Sequence, residues 1–434
     1  KLTAEKTGYP AGVTLRYATH ANDTIKRQTL ARIRDIGRTV VYTQFDSDAV
    51  LLPPSLALAP SARVHMLNLT ISFIVSFLAT LFIVRVSHRH SAAADRDLSG
   101  VQKFHVRPVP RIGGVGILLG CCLAVGMLTA RDLPLAKHLA LLLACSAVVF
   151  GIGLAEDFTQ RISPTVRLLC ALAGGALGAV VLDASLVRVD VPLVDAWLAL
   201  PLAGGLAAVV CVAALVNAVN IIDGFNGLAA AAAMAMFASL GYVAFKVGDP
   251  LVLGGALIMI GAILGFLVWN YPYGFIFLGD GGAYFLGFML AELGILLVAR
   301  NPQVSAWYPA LLFIYPIFET LFSIYRKRYL RGMSPSLPDG IHLHMLIYKR
   351  VIRWAVGSRN ARLLLRRNAS TSPYLWALSL LAIVPATAFW HQKFVLVGFL
   401  AVFVAVYLWL YTAIVRFRTP RWLVLRKYTD NRNR

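Results

Sequence analysis

Carboxylates are few in this chain, and four of them, Glu156, Asp157, Asp223 and Asp280, stand beside glycines, amides or membrane-like sequence rather than in charged runs. Asp223 lies in "NAVNIIDGFNGLA", where Asn217, Asn220 and Asp223 recur every third residue. On a helix end that spacing gives them one face, and Gly224 and Gly227 then let the backbone turn and a ligand approach closely. Asp280 lies in "FLGDGGAYFLG", at the expected start of a helix. Each motif alone also fits a plain structural role: Asn and Asp as helix caps, small residues for helix packing, an acidic pair merely solvated at a membrane edge. Taken together, oxygen-rich groups of this kind suit Mg²⁺, with Mn²⁺ as the alternative, because such ions take carboxylates, water and substrate phosphate oxygens. Cations recur nearby: "KFHVRPVPRIGG" supplies Lys103, His105, Arg107 and Arg111, "ISPTVRLL" supplies Arg167, and "DGIHLHMLIYKR" supplies His342 and His344 on a strand-like edge or tight turn. A divalent ion ringed by fixed cations is what a diphosphate requires, the metal neutralising bridging oxygens and the cations holding terminal ones. Two histidines with no thiol or third histidine nearby make a poor zinc site.

The elements that must carry these residues are membrane helices. Of 434 residues, 59% are hydrophobic and 14% charged, with a mean hydropathy of +0.71. A soluble chain carries about 25% charged residues. The apolar residues fall in blocks of about 20, the length that crosses a bilayer. The expected fold class is therefore all-α, a polytopic membrane protein with about eleven spans, near 67–86, 112–130, 138–155, 166–182, 202–219, 228–245, 251–268, 282–299, 306–322, 374–390 and 394–415. Loops following odd-numbered spans hold nearly all the loop Lys and Arg. Loop 323–373 alone has eleven against one acid, Asp339. The positive-inside rule makes that side cytoplasmic, and every polar motif above falls on it. The expected arrangement is an active site on the cytoplasmic face of the membrane, with the C-terminus cytoplasmic.

The net charge of +21 follows from the same rule. With no zinc-finger spacing and no basic face interleaved with aromatics, nucleic acid is not an expected partner. Membrane lipids are, since "LIYKRVIRWAVGSRNARLLLRR" reads as an amphipathic helix on anionic headgroups. The five cysteines all lie in apolar blocks and read as small buried hydrophobes. Three regions are expected: 1–65, a non-native or disordered extension; 66–415, the transmembrane domain including loop 323–373; and 416–434, a basic tail. The first lacks an initiating Met and any sustained apolar period, so Met66 is expected to be the natural start; native peptides from 1–65 in N-terminal mass analysis would refute this. A secondary transporter is the competing class, but transporters place their acids near the midplane on broken, repeated helices. Here the acids sit at span ends on one side, and lone Glu292 and Glu319 within spans read as helix-pairing contacts.

These motifs, in order through five loops between about 67 and 415, resemble the polyprenyl-phosphate N-acetylhexosamine-1-phosphate transferases, a family that includes the phospho-MurNAc-pentapeptide translocase. The resemblance implies transfer of a phospho-sugar from a UDP-sugar to undecaprenyl phosphate with release of UMP and a need for Mg²⁺, and a homodimer is compatible with it. By position it implies metal binding by Asp280 and Asp223, and catalytic roles for Asp157, Glu156 and Asp223. It implies uracil stacking by Phe277 and substrate contacts from Asn220, Asn226, Asn270, His342, His344, Lys103, His105 and Arg167. Three positions depart from the family pattern: Glu156 stands in a pair that is usually Asp-Asp, Asn226 where a second Asp is common, and Met345 where a further His is common. "PRIGG" and the short His motif look more like the priming transferases of envelope polysaccharides, with N-acetylglucosamine or a deoxy relative as the expected sugar; the peptidoglycan translocase is the alternative.

Overall fold

The computed structural model describes residues 60–89, 109–131, 134–200, 202–332, 340–352 and 361–418. The chain divides into two units, Lys1–Arg63 and Val64–Arg434, and the residues of the candidate site all belong to the second. The expectations for the extension and the tail fall almost wholly outside the described residues, as do Lys103 and His105.

All regular structure among the described residues is helical. In chain order the helices are α1 Pro60–Arg89, α2 Gly113–Thr129, α3 Pro134–Thr159, α4 Pro164–Val181, α5 Pro192–Leu198, α6 Ala203–Ile222, α7 Leu228–Val247, α8 Pro250–Asn270, α9 Gly279–Arg300, α10 Trp307–Leu312, α11 Ile314–Tyr325, α12 Leu343–Leu346, α13 Ala361–Ala388 and α14 Lys393–Val415. Local chemistry sets several boundaries. Pro164 and Pro250 occupy first turns, where the missing N–H costs nothing, behind the N-caps Ser163 and Asp249. Gly248, at φ 75°, closes α7 in the left-handed conformation.

Nine helices among the described residues are long and apolar enough to cross a membrane, and α2 is a shorter apolar one of 17 residues. The expected span at 306–322 differs. It is broken at Phe313 into α10 and α11, and α11 runs on into a π-helical turn at Arg326–Leu330. The result is an all-α, multi-pass membrane protein.

Helix α9 is the centre of the bundle. In its most apolar stretch 89% of residues are buried, against 22% for α4 and α14. A helix that is apolar all round belongs inside, and α9 packs chiefly between α3 and α6, with α2 and α7 also against it. Small residues permit the close crossings. A Cβ on Gly153 of α3 would lie 2.6 Å from the Gly281 Cα of α9, so the two backbones touch there. That crossing lies one turn before Asp157, and it decides where Asp157 can reach.

Candidate active site

The first turn of α9 carries Asp280, and three loops converge on it. Segment 110–114 pairs with segment 277–278: Phe277 N donates to Pro110 O at 2.9 Å, and Gly113 N and Gly114 N donate to Phe277 O and Leu278 O at 2.9 Å each. This backbone pairing sets Arg111 beside Asp280, with Nη2 3.7 Å from Oδ1. Gly279 allows the approach. Its φ of 79° is one that L side chains avoid, and a Cβ there would lie 2.6 Å from Asp157 Oδ2.

Asp157 comes from the end of α3. Its Oδ1 accepts the Asp280 N–H at 2.8 Å and its Oδ2 the Gly281 N–H at 3.0 Å. The carboxylate therefore caps α9, satisfying two N–H groups that no helical partner can reach and placing negative charge at the positive end of the helix dipole. Its neighbour Glu156 accepts the Ile162 N–H at 2.8 Å and so closes the turn between α3 and α4. Arg167, one turn into α4, joins the two loops, with Nη1 2.9 Å from Asp280 Oδ2 and 3.9 Å from Glu156 Oε1. Tyr284, one turn further along α9, faces both Arg167 and Asn220.

Asp223 ends α6 on the far side of this group. Burial pushes its carboxyl up to about 7; Arg111 opposes the rise, and Asp280 and Asp157 add to it. Near neutrality it holds a proton about half the time, and a bound cation would displace that proton.

The loop after Asp223 is braced from two directions. Asn270, at the end of α8, accepts the Gly227 N–H at 2.6 Å and donates to Ile276 O at 2.7 Å. Asn226 donates from its amide to Pro272 O at 3.1 Å, while its backbone N–H and C=O are taken by Asn368 and Ser372 of α13. Both side chains are buried, and both are occupied in holding the loop. Asn217 turns back to Ala213 O within its own helix, so the expected shared face of three polar residues reduces to Asn220 and Asp223.

His342 and His344 stand at the start of α12 rather than on an extended edge, their rings parallel with centroids 5.2 Å apart. His344 lies against Gly224, where a Cβ would be 3.3 Å from Nε2, and it meets the Phe225 ring edge-on. The pair thus borders the Asp223 loop from outside the Asp280 group. Phe277 is half-buried, three residues ahead of Asp280. The structure therefore gathers Glu156, Asp157, Arg167, Asn220, Asp223 and Asp280, sets His342, His344 and Phe277 at the margin, and shows Asn226 and Asn270 hydrogen-bonded to the backbone of the loops beside it. Three groups are not singled out as site residues by their sequence context: Tyr284, whose partners are Arg167 and Asn220; Asn368 with Ser372, from a helix far along the chain; and Glu319, which accepts from His342.

Among the described residues, no three His, Cys, Asp or Glu side chains form a ready-made metal cage. Mg²⁺ does not ask for one, since it is usually held by one or two carboxylates with substrate phosphates and water completing the octahedron. Asp280 and Asp223 offer that donor set.

Comparison with known proteins agrees with this geometry. Residues 139–298 match the model of glycosyl transferase family 4. The chain is 29% identical over 287 residues to a probable undecaprenyl-phosphate N-acetylglucosaminyl 1-phosphate transferase of Bacillus subtilis (strain 168), covering 64% of this chain and 77% of that protein. It is 27% identical over 306 residues to the undecaprenyl-phosphate alpha-N-acetylglucosaminyl 1-phosphate transferase of Escherichia coli (strain K12), covering 66% and 78%. To the decaprenyl-phosphate N-acetylglucosaminephosphotransferase of Mycobacterium tuberculosis (strain ATCC 25618 / H37Rv) it is 30% identical over 334 residues, covering 66% and 76%. Helices α3 to α9, which bring Glu156, Asp157, Arg167, Asp223 and Asp280 together, are the matched core, and the chain belongs to the polyprenyl-phosphate N-acetylhexosamine-1-phosphate transferases, a family of membrane phosphoglycosyl transferases.

Proposed function

We propose that this enzyme transfers N-acetylglucosamine-1-phosphate from its UDP-sugar to undecaprenyl phosphate, releasing UMP and priming an envelope polysaccharide on the cytoplasmic face of the inner membrane. The observation that carries the reading is the meeting of Arg111, Arg167, Asp223 and Asp280 at the capped start of the central helix. The names of the relatives support the sugar and the lipid class over the peptidoglycan translocase, and the basic loops on the side of the site support the orientation.

In this reading an oxygen of the lipid phosphate forms a bond to the β-phosphorus of the UDP-sugar. The bond from that phosphorus to the bridging oxygen breaks, and UMP leaves with the electron pair. Both reactants are anions, so their repulsion must be screened before attack. Asp280 and Asp223 would hold Mg²⁺, which when bound neutralises diphosphate charge. Arg111 and Arg167 supply fixed positive charge beside it, and His342 and His344 border the loop that carries Asp223. The acceptor phosphate has its second pKa near 6, so it is largely ionised at neutral pH and needs little help from a base. Asp157, with both oxygens on backbone N–H groups, serves in this proposal by fixing Asp280. Phe277 stacks on the uracil, Asn220 reaches substrate beside Tyr284, and Asn226 and Asn270 set the loop.

The test is exchange of labelled UMP with UDP-N-acetylglucosamine in membranes supplied with undecaprenyl phosphate and Mg²⁺. Exchange is expected in the wild type and lost in Asp280→Asn and in Asp223→Asn. Activity that survives both substitutions overturns the proposal.

A further inference from the structure

Behind the histidine pair lies a buried acid that the proposed transfer does not use. Glu319 of α11 is fully buried. Its Oε1 accepts the Leu343 N–H at 2.9 Å and lies 3.0 Å from His342 Nδ1, and its Oε2 accepts the Tyr407 hydroxyl of α14 at 2.8 Å. Phe318 and Phe322 meet the Tyr407 ring edge-on and seal that side. A buried carboxyl is costly unless it is hydrogen-bonded, and here its partners are donors. Such an acid is built in rather than tolerated. Glu319 lies on the side of α11 that meets His342 and Leu343 at the start of α12.

The contacts run in one line. Tyr407 holds Glu319, Glu319 faces His342 Nδ1, the His342 ring lies parallel to His344, and His344 rests on Gly224, next to Asp223. A carboxylate facing Nδ1 requires that nitrogen to carry the hydrogen. Nε2 is then the only ring nitrogen of His342 left for a ligand. A partner of this kind fixes both tautomer and ring orientation, as it does for histidines that bind metals.

We propose that Glu319 is a positioning residue for the transfer: it locks His342 in its Nδ1–H form and, through the parallel His342–His344 rings against Gly224, holds the loop that carries Asp223. The proposal rests on the transferase reading for its kinetic consequence but not for its structural one, so the two can fail separately.

The experiment uses the full-length protein in detergent with ¹⁵N-labelled histidine, the His342 resonances assigned by their loss in His342→Gln. In the wild type His342 is expected to show the Nδ1–H signature. Glu319→Gln, whose amide oxygen can still accept from His342 and Leu343, keeps that signature; Glu319→Leu loses it. In UMP exchange, Glu319→Leu is expected to raise KM for UDP-N-acetylglucosamine about tenfold or more, the scale of one charge-assisted contact, with a smaller change in kcat. Glu319→Gln should stay within about threefold of wild type, as rescue by an isosteric acceptor requires. An Nε2–H signature for His342 in the wild type overturns the proposal, and that measurement needs no Glu319 variant to fold. So does a Glu319→Leu protein with wild-type signature and KM. If wild-type protein shows no exchange but His342 carries the Nδ1–H signature that Glu319→Leu abolishes, the transferase reading fails while the positioning contact stands.

Discussion

Replacing Asp157 with Asn separates the two roles its carboxylate could hold. The acid accepts the N–H groups of Asp280 and Gly281 at 2.8 and 3.0 Å, one on each oxygen. Asparagine keeps one acceptor and turns an NH₂ group toward the second N–H, so one charge-assisted bond is lost and two donors face each other. Such a bond contributes about 1.5–3 kcal/mol, and a negative group at a helix N-terminus about 0.3–1 kcal/mol more. The sum, roughly 2–4 kcal/mol, falls on the first turn of α9, where Asp280 begins. Asp157→Asn is therefore expected to lower the unfolding temperature and to raise the Mg²⁺ concentration for half-maximal UMP exchange by about tenfold or more, with turnover falling as Asp280 loses its place. Thermal unfolding followed by tryptophan fluorescence and exchange assayed across Mg²⁺ concentrations measure both. A general base predicts something else: turnover down by about 10²–10⁴, an unchanged melting temperature and Mg²⁺ requirement, and recovery of rate at alkaline pH. That pattern would refute the capping role.

Arg167→Met removes the cation that holds Asp280 at 2.9 Å; Mn²⁺ binding, followed by electron paramagnetic resonance, is expected to tighten severalfold while exchange falls by at least about tenfold, since a charge-assisted contact on the diphosphate side goes with it. Because the carboxyl of Asp223 is pushed up to about 7, it is mostly protonated below that pH and mostly ionised above. Mn²⁺ affinity should therefore rise by up to about tenfold per unit as pH climbs from 5 to 7 and then level off, and an affinity flat across this window would exclude Asp223 as a ligand. Gly153→Val forces a side chain into a backbone contact, where even a Cβ would sit 2.6 Å from the Gly281 Cα; overpacking of about 1–3 kcal/mol should part α3 from α9, and exchange and melting temperature should fall together. Asn270→Ala strips partners from the buried Gly227 N–H and Ile276 C=O, at about 1–3 kcal/mol each, and a thermal shift smaller than about 1 kcal/mol would show that the loop does not depend on it.

The spans were legible because a bilayer imposes one length and one composition, and ten of the eleven apolar blocks appear as single helices. The exception shows the limit. Block 306–322 is apolar apart from Glu319 and Thr320, but Pro316 has no N–H to give Leu312 O and its ring clashes with that carbonyl, so the helix restarts after Phe313, which a hydropathy average does not register. Site residues were legible where a polar side chain interrupts apolar sequence near a span end, as with Asp157, Asp223 and Asp280. What those side chains touch was not. Asn226 and Asp157 carry polar groups that suit a ligand as well as a backbone, and only the structure shows Asn226 committed to Pro272 and Asp157 to the start of α9. Glu319 was hidden for the opposite reason. A lone acid in an apolar block reads as a pairing contact, and its partners His342 and Tyr407 lie 23 and 88 residues away.

The charges at the start of α9 also bear on the order in which the site fills. Two cations, Arg111 and Arg167, face the carboxylates of Glu156, Asp157 and Asp280, and Arg167 touches both Asp280 and Glu156. Two of the first-turn N–H groups, which elsewhere bind phosphate directly, are already given to Asp157. A diphosphate entering this group would meet the Asp280 and Gly281 N–H groups already taken and two arginines turned toward carboxylates. Arg167 cannot keep its 2.9 Å contact with Asp280 and also grip a phosphate along the same edge of its guanidinium. In the proposed reaction Asp280 would gain another positive partner before Arg167 is released to the substrate, and binding of that cation would displace the Asp223 proton, whose pKa is pushed up to about 7, into solvent. On the proposed function, divalent ion and UDP-sugar would thus be coupled through residues of this chain, each expected to tighten the other's binding by the same factor. Titrating Mn²⁺ with and without UDP-N-acetylglucosamine measures that factor, and Arg167→Met should reduce it, because the contact that makes the two ligands depend on each other is gone.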